Sequence, residues 1–186
     1  KTLFQEHQNL AAGMRWAQSL LKEDKYAEAY PVLREAAEAD AEDLNLQARV
    51  ALLELELKKY SESINRFKAI LAKQPDSDRI QFYLANAFEG ASQNDEAIKV
   101  LDQISAQSEL FEDAKIHQAY LLRKAGSVGL AKAVLDRAIT QSARVPTFYL
   151  YRASLQEESG DVDAAIQGLE KGVSFFPEHE KMRFYL

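Results

Sequence analysis

The chain has 186 residues, a formal net charge of −6 and no cysteine. Its excess of carboxylates gives no long-range attraction to phosphate backbones or anionic lipid, which argues against a nucleic-acid partner. The missing thiols exclude disulfides, thiol catalysis and Cys-ligated zinc without choosing a compartment. With only 7 Gly and 4 Pro in a chain rich in Ala, Leu, Glu, Lys and Gln, long helices with short connections are expected.

No stretch approaches the roughly 20 apolar residues that span a bilayer, so direct membrane insertion is not expected. The opening KTLFQEHQNL also lacks the apolar core of a secretory signal. The chain begins without Met, and localisation stays open between the cytoplasm and a bacterial periplasm or envelope.

In chain order, residues 1–9 (KTLFQEHQN) read as the end of a preceding helix or as an unstructured lead, with Leu3 and Phe4 favouring helix. From residue 10 onward the same punctuation returns every 34 residues, at 10–43, 44–77, 78–111, 112–145 and 146–179. One small side chain recurs at Ala17, Ala51, Ala85, Ala119 and Ala153, and a second follows twelve residues later at Ala29, Ser63, Ala97, Ala131 and Ala165. One helical turn further along the same face lie Leu33, Phe67, Leu101, Leu135 and Leu169. Between the two small columns sit KEDKY (22–26), LKKY (57–60), ASQND (91–95), KAGSV (124–128) and ESGDV (158–162), each read as a turn. Every unit therefore reads as helix, turn, helix, with small and large side chains interlocking where two antiparallel helices meet. An ordinary amphipathic bundle accounts for a 3.6-residue period but not for a 34-residue register.

The units also carry stops. Pro75 in KQPDSD and Pro177 in FFPEHE terminate helices, with Asp or Ser available to cap the next one, while Pro146 suits a first helical turn. Residues 180–186 (EKMRFYL) repeat the start of a first helix, as expected for a piece of a longer array.

These units resemble tetratricopeptide repeats, which have a 34-residue helix-turn-helix unit, two facing small positions, a Gly-containing turn, an aromatic after it and a terminal Pro. Tyr26 and Tyr60 fill the aromatic column, whereas Asn94, Val128 and Val162 depart from it; the turn Gly occurs at Gly126 and Gly160, and Gln118 and Arg152 stand where an apolar residue is usual. The resemblance implies an all-α fold, a right-handed superhelical solenoid of antiparallel helix-turn-helix repeats, whose first helices line a concave groove.

In that geometry the candidate partner-binding residues are Arg49, Leu52, Arg79, Phe82, Tyr83, Asn86, Ile116, Tyr120 and Tyr151, an apolar and aromatic floor with a basic fringe. Aromatics and Arg are the types enriched at binding hot spots. The expected partner is a protein or peptide, held as an extended or helical segment. The family's clamp for C-terminal carboxylates is not supported, because Met14, Gln18 and Tyr83 stand at three of its positions and only Arg79 carries a suitable charge.

No phosphate loop, paired-His helix or nucleophile motif is present, so no catalytic residue, metal or cofactor is assigned and an enzyme is not expected. His7, His117 and His179 are too scattered for a metal site and read as surface residues. The leading function is an interaction scaffold. Two alternatives are a homo-oligomer or larger assembly built through the array ends, around Phe175, Phe176, Phe184 and Tyr185, and a docking region of a larger enzyme.

Overall fold

The computed structural model describes the backbone from Leu3 to Leu186 and side chains from Ala12 onward. Among the described residues every regular element is a helix. The residues group into two compact units, one up to Gln93 and the other spanning Asn94–Leu186. Unit one holds α1 (Leu3–Lys22), α2 (Tyr26–Ala39), α3 (Leu44–Glu56), α4 (Tyr60–Lys73) and α5 (Asp78–Gly90). Unit two holds α6 (Asn94–Asp102), α7 (Phe111–Lys124), α8 (Val128–Gln141), α9 (Pro146–Glu158), α10 (Val162–Phe175) and α11 (Glu180–Phe184). His7 lies outside the described side chains.

Within each unit sequential helices pack as neighbours, and the next-but-one pairs α3/α5 and α7/α9 also touch. The reason lies in the three sequence columns, all of which are buried: the alanines from Ala17 to Ala153, the set from Ala29 to Ala165, and the large set from Leu33 to Leu169. Small residues let two helix backbones approach, and the large residue one turn on fills the space beside them. Burying such a Leu or Phe contributes about 1.5–3 kcal/mol per side chain, so this one column anchors every helix pair.

The turns between paired helices repeat in atomic detail. Asp24, Lys58, Ser92, Gly126 and Gly160 all take positive φ, from 55° to 77°. In each turn the following amide donates to a carbonyl five residues back, as in Lys25 to Leu20, Lys59 to Glu54, Gln93 to Phe88, Ser127 to Leu122 and Asp161 to Gln156. This is a Schellman closure, which satisfies carbonyls that a helix end leaves open. Three of these five turns therefore hold a non-glycine residue in a conformation that disfavours a Cβ.

A second recurring device joins neighbouring repeats within each unit. Gln47 Nε2 donates to the carbonyls of Ala37 (2.6 Å) and Asp40 (3.3 Å), and Gln81 Nε2 to that of Pro75 (3.0 Å). At the equivalent position Lys115 Nζ reaches the Leu101 and Asp102 carbonyls at 3.1 and 3.0 Å, and the Tyr149 hydroxyl reaches Ala143 at 3.1 Å. These four residues are 34 apart, buried, and chemically unlike one another. What they share is a long donor aimed at orphan carbonyls in the last turn of the preceding second helix or just beyond it.

Caps mix expectation and surprise. Asp43 and Asp161 accept from the Leu46 and Ala164 amides, and His179 Nδ1 accepts from Met182 N at 3.3 Å. Ser77 occupies its N-cap position without a side-chain bond, and Pro146 takes the first helical turn. Helix α6 has 9 residues where α4 has 14. It stops early because the Ser105 and Ser108 hydroxyls accept from the Gln107 and Leu110 amides, which favours turns over helix. Ile104 tucks into the core of the resulting connection.

Unit one contains a buried ionic cluster. Glu54 is fully buried, and Arg66 meets it with two bonds of 3.1 and 2.9 Å while also donating to Gln47 Oε1. Tyr30 adds a hydroxyl bond to Glu54 at 3.3 Å, so α2, α3 and α4 are tied at one point. In unit two the buried Gln118 donates to Asp102 at 3.0 Å and to the Ile98 carbonyl at 3.3 Å, which explains how a polar residue replaces the usual apolar one. Arg152, half-buried, pairs with Asp136 and Gln156 for the same purpose.

Candidate functional site: an aromatic cavity on α7 and α9

Helix α7 presents Ile116 and Tyr120 four residues apart, hence on one face, and α9 presents Tyr151 beside them. With Asp113, His117, Arg123 and Thr147 they line a cavity of about 400 Å³. Ile116 is half-buried and packs against the unit's core, forming the floor. Tyr120 is 44% exposed, which leaves its ring available at the rim. Three of the sequence-predicted residues, Ile116, Tyr120 and Tyr151, thus converge on one cavity.

The polar groups around them are held in place. Arg123 Nε pairs with Glu158 at 2.7 Å, and that carboxylate raises the basicity of the guanidinium. Burial pushes the Tyr151 phenol up, opposed by the Arg123 charge beside it, so the hydroxyl is neutral at ordinary pH. The Lys124 ammonium lies 5.8 Å from the Tyr120 ring centre, a cation–π arrangement. His117, expected at the surface, is half-buried at this site, and His179 is half-buried as a helix cap.

The wall of the cavity continues, through Thr147 and Tyr151, into a second cavity of about 490 Å³. Its lining comes from Leu150, Ala153, Ser154 and Glu157 of α9, from Val162, Ala165, Ile166 and Leu169 of α10, and from Lys181 and Tyr185. Ala165 and Leu169 belong to the packing columns and Val162 to the post-turn column read from the sequence, while no sequence signal marked Ile166.

In unit one the predicted residues lie on the matching positions of their own helices. Arg49 and Leu52 stand one turn apart on α3, the first exposed and the second half-buried. On α5 Arg79 is exposed, while Phe82, Tyr83 and Asn86 are half-buried. The Tyr83 ring stacks on Phe67 of α4, centroids 6.1 Å apart and 22° between planes. Much of that side chain therefore serves packing within the unit. At the end of α5, Gly90 lies against the Tyr60 ring so closely that an added Cβ would fall 2.2 Å from it.

Chemically, both regions offer apolar and aromatic contact with charged edges. Among the described residues no group of His, Cys, Asp or Glu could hold a metal ion, and no helix is long and apolar enough to cross a membrane.

Antiparallel helix pairs at a fixed register, stacked on buried small residues, define a helical-repeat protein. Family models described as tetratricopeptide repeat match residues 54–119 and residues 117–178. The chain belongs to the tetratricopeptide repeat family, and its tandem repeats make it a protein-interaction scaffold in general terms. Solved structures agree on the fold. The crystal structure of MamA is similar over 94% of this chain and 96% of its own, at 14% identity and a TM-score of 0.72. YrrB, described as a TPR protein with an unusual peptide-binding site, is similar over 92% of this chain and 89% of its own, at 14% identity and a TM-score of 0.61. A thermophilic TPR protein of Thermus thermophilus is similar over 95% and 96%, at 17% identity and a TM-score of 0.53. No curated protein matches the sequence.

Proposed function

We propose that this protein binds a peptide or helical segment of a partner protein through the first-helix face of its repeats, without catalysis of its own. The observation that carries the reading is the convergence of Ile116, Tyr120 and Tyr151 on one cavity. A cavity of about 400 Å³ lies within the range of specific small sites, ~300–1,000 Å³. Its apolar floor accepts an aliphatic or aromatic side chain, and the exposed Tyr120 phenol at its edge offers a hydrogen bond to the partner's backbone. Arg49 and Arg79 supply positive charge on the matching positions of unit one, suited to acidic residues of a partner. The likeness to YrrB, a described peptide binder, supports the same reading by analogy of fold.

The test is affinity capture from a source lysate by the parent chain and by Tyr120→Asp, with circular dichroism confirming that the variant stays helical. A protein retained by the parent should be lost by the variant, since a charge placed in an apolar hot spot typically costs more than ~2 kcal/mol. Equal capture by both would sink the assignment of this cavity.

A further inference from the structure

The repeat register brings one inter-helix space back three times, and its fillings differ. In unit one Arg66 of α4 reaches the fully buried Glu54 of α3 with two bonds and also donates to Gln47. At the equivalent position of α8 stands Val134, opposite Gln118 of α7, and the cavity beside them is about 130 Å³. In α10 the position is Gly168, opposite Arg152 of α9, and the cavity is about 400 Å³. A Cβ on residue 168 would fall 3.1 Å from Arg152 Nη1 and 3.5 Å from Gln156 Oε1, so the glycine is what lets the guanidinium lie against α10. That guanidinium is only partly paired. Its Nε meets Asp136, whose side chain is 52% exposed, and its Nη1 donates to Gln156 Oε1, while Nη2 makes no hydrogen bond among the described residues. Gln156 is buried and stands where unit one has Glu54. A neutral amide thus replaces the buried carboxylate that completes the ion pair in unit one.

We propose that the cavity between α8, α9 and α10 is a binding site for a carboxylate group on a slender stem, the form of a glutamate side chain or of a free short-chain carboxylic acid. Charge points this way first. Arg152 and Lys171 line the cavity against the single carboxylate of Asp136, a local positive balance in a chain of net charge −6. Lys171 is exposed and forms no ion pair among the described residues. Geometry agrees with charge, because the N–H groups of Nη2 lie in the plane of a guanidinium whose orientation Asp136 and Gln156 already fix, and such a donor suits a carboxylate oxygen. The stem follows from the register. What occupies this space in the other repeats is one side chain, Arg66 or Val134, and here Ile139 and Tyr149 give the cavity an apolar wall for the stem to lie on. The site shares no residue with the Ile116 and Tyr120 cavity, so the two assignments fail or stand separately.

The test is heteronuclear NMR of the isotope-labelled chain, titrated with capped glutamate, butyrate, capped glutamine and inorganic phosphate. Capped glutamate should move the Gly168 amide and the Arg152 side-chain Nε–H signals saturably, while its neutral isostere capped glutamine leaves them in place. Lys171→Met, at an exposed position, should weaken binding about two- to fivefold by removing one screened charge. Gly168→Val, which copies Val134, should weaken it about tenfold or more by displacing the guanidinium that makes the charged hydrogen bond. Tyr120→Asp should leave it unchanged, and circular dichroism verifies that each variant stays helical. Tighter binding of capped glutamate than of butyrate supports the site with a protein side chain as its source, and equal binding supports it with a free acid. Equal shifts with capped glutamine, tighter binding of phosphate than of either carboxylate, parent-like affinity in both Lys171→Met and Gly168→Val, or the absence of a saturable shift would overturn the proposal.

Discussion

The two units share one register and solve the same packing problem with different chemistry. Unit one ties α2, α3 and α4 through a fully buried Glu54 with Arg66, Gln47 and Tyr30 around it, and closes its turns on Asp24, Lys58 and Ser92. Unit two ties its helices with aromatics, Phe111 against Phe148 and Tyr149 against Phe175 and Phe176, and closes its turns on Gly126 and Gly160. The comparison teaches that the 34-residue column constrains size and reach, and leaves polarity free. It also separates roles, since the cavities described above are lined by residues of unit two.

The sharpest way to break the contrast is Arg66→Met, which strands the Glu54 carboxylate in the interior. Removing one partner of a buried pair costs about 3–5 kcal/mol, read as a large fall in the denaturant midpoint. Pairing it with Glu54→Leu should restore most of that loss, because two apolar residues leave no charge behind; a double variant as unstable as the single one would refute this account. Arg152→Met in unit two should cost less, since its Asp136 partner is exposed.

A smaller effect tests the turns. Lys58→Gly should stabilise unit one by about 1 kcal/mol by removing a left-handed Cβ, while Gly126→Ala should destabilise unit two by a similar amount. Thermal melts of both variants moving in the same direction would show that the turn conformation carries no such cost.

The smallest effect is the response to alkali. Burial raises the Tyr149 phenol above its ordinary value of 10.0, so the folded state holds that proton more tightly than the unfolded chain. Its contribution is whole below pH 10 and is lost as pH rises further. Lys115 acts in the opposite sense: burial lowers its ammonium, so the folded chain releases a proton first and stability rises toward pH 10.5. Denaturation at pH 9 to 11 should show a steeper alkaline loss in Lys115→Met and a shallower one in Tyr149→Phe. Unchanged slopes would remove both groups from the explanation.

Much of the fold could be read from spacing because the buried columns are made of residues whose size alone decides the fit: Ala119 against Ala131, with Leu135 one turn on. The candidate cavity was partly legible for the same reason, since helix phase places Ile116, Tyr120 and Tyr151 on first helices. The donors Gln47, Gln81, Lys115 and Tyr149 were hidden, because no single residue type marks the column. Tyr83 was read only as a groove residue, and its stacking on Phe67 depends on how the preceding helix α4 packs against α5.

The sequence by itself determined the repeat length, the helix pairing and the small and large faces that must meet, because steric fit along a 3.6-residue helix is a local property read from side-chain size. Only the tertiary structure decided which carbonyls the long donors reach, that Glu54 is buried and paired, and where α6 ends. Those outcomes depend on distances between helices, where hydrogen-bond geometry and desolvation select one partner among several that the sequence leaves equally available.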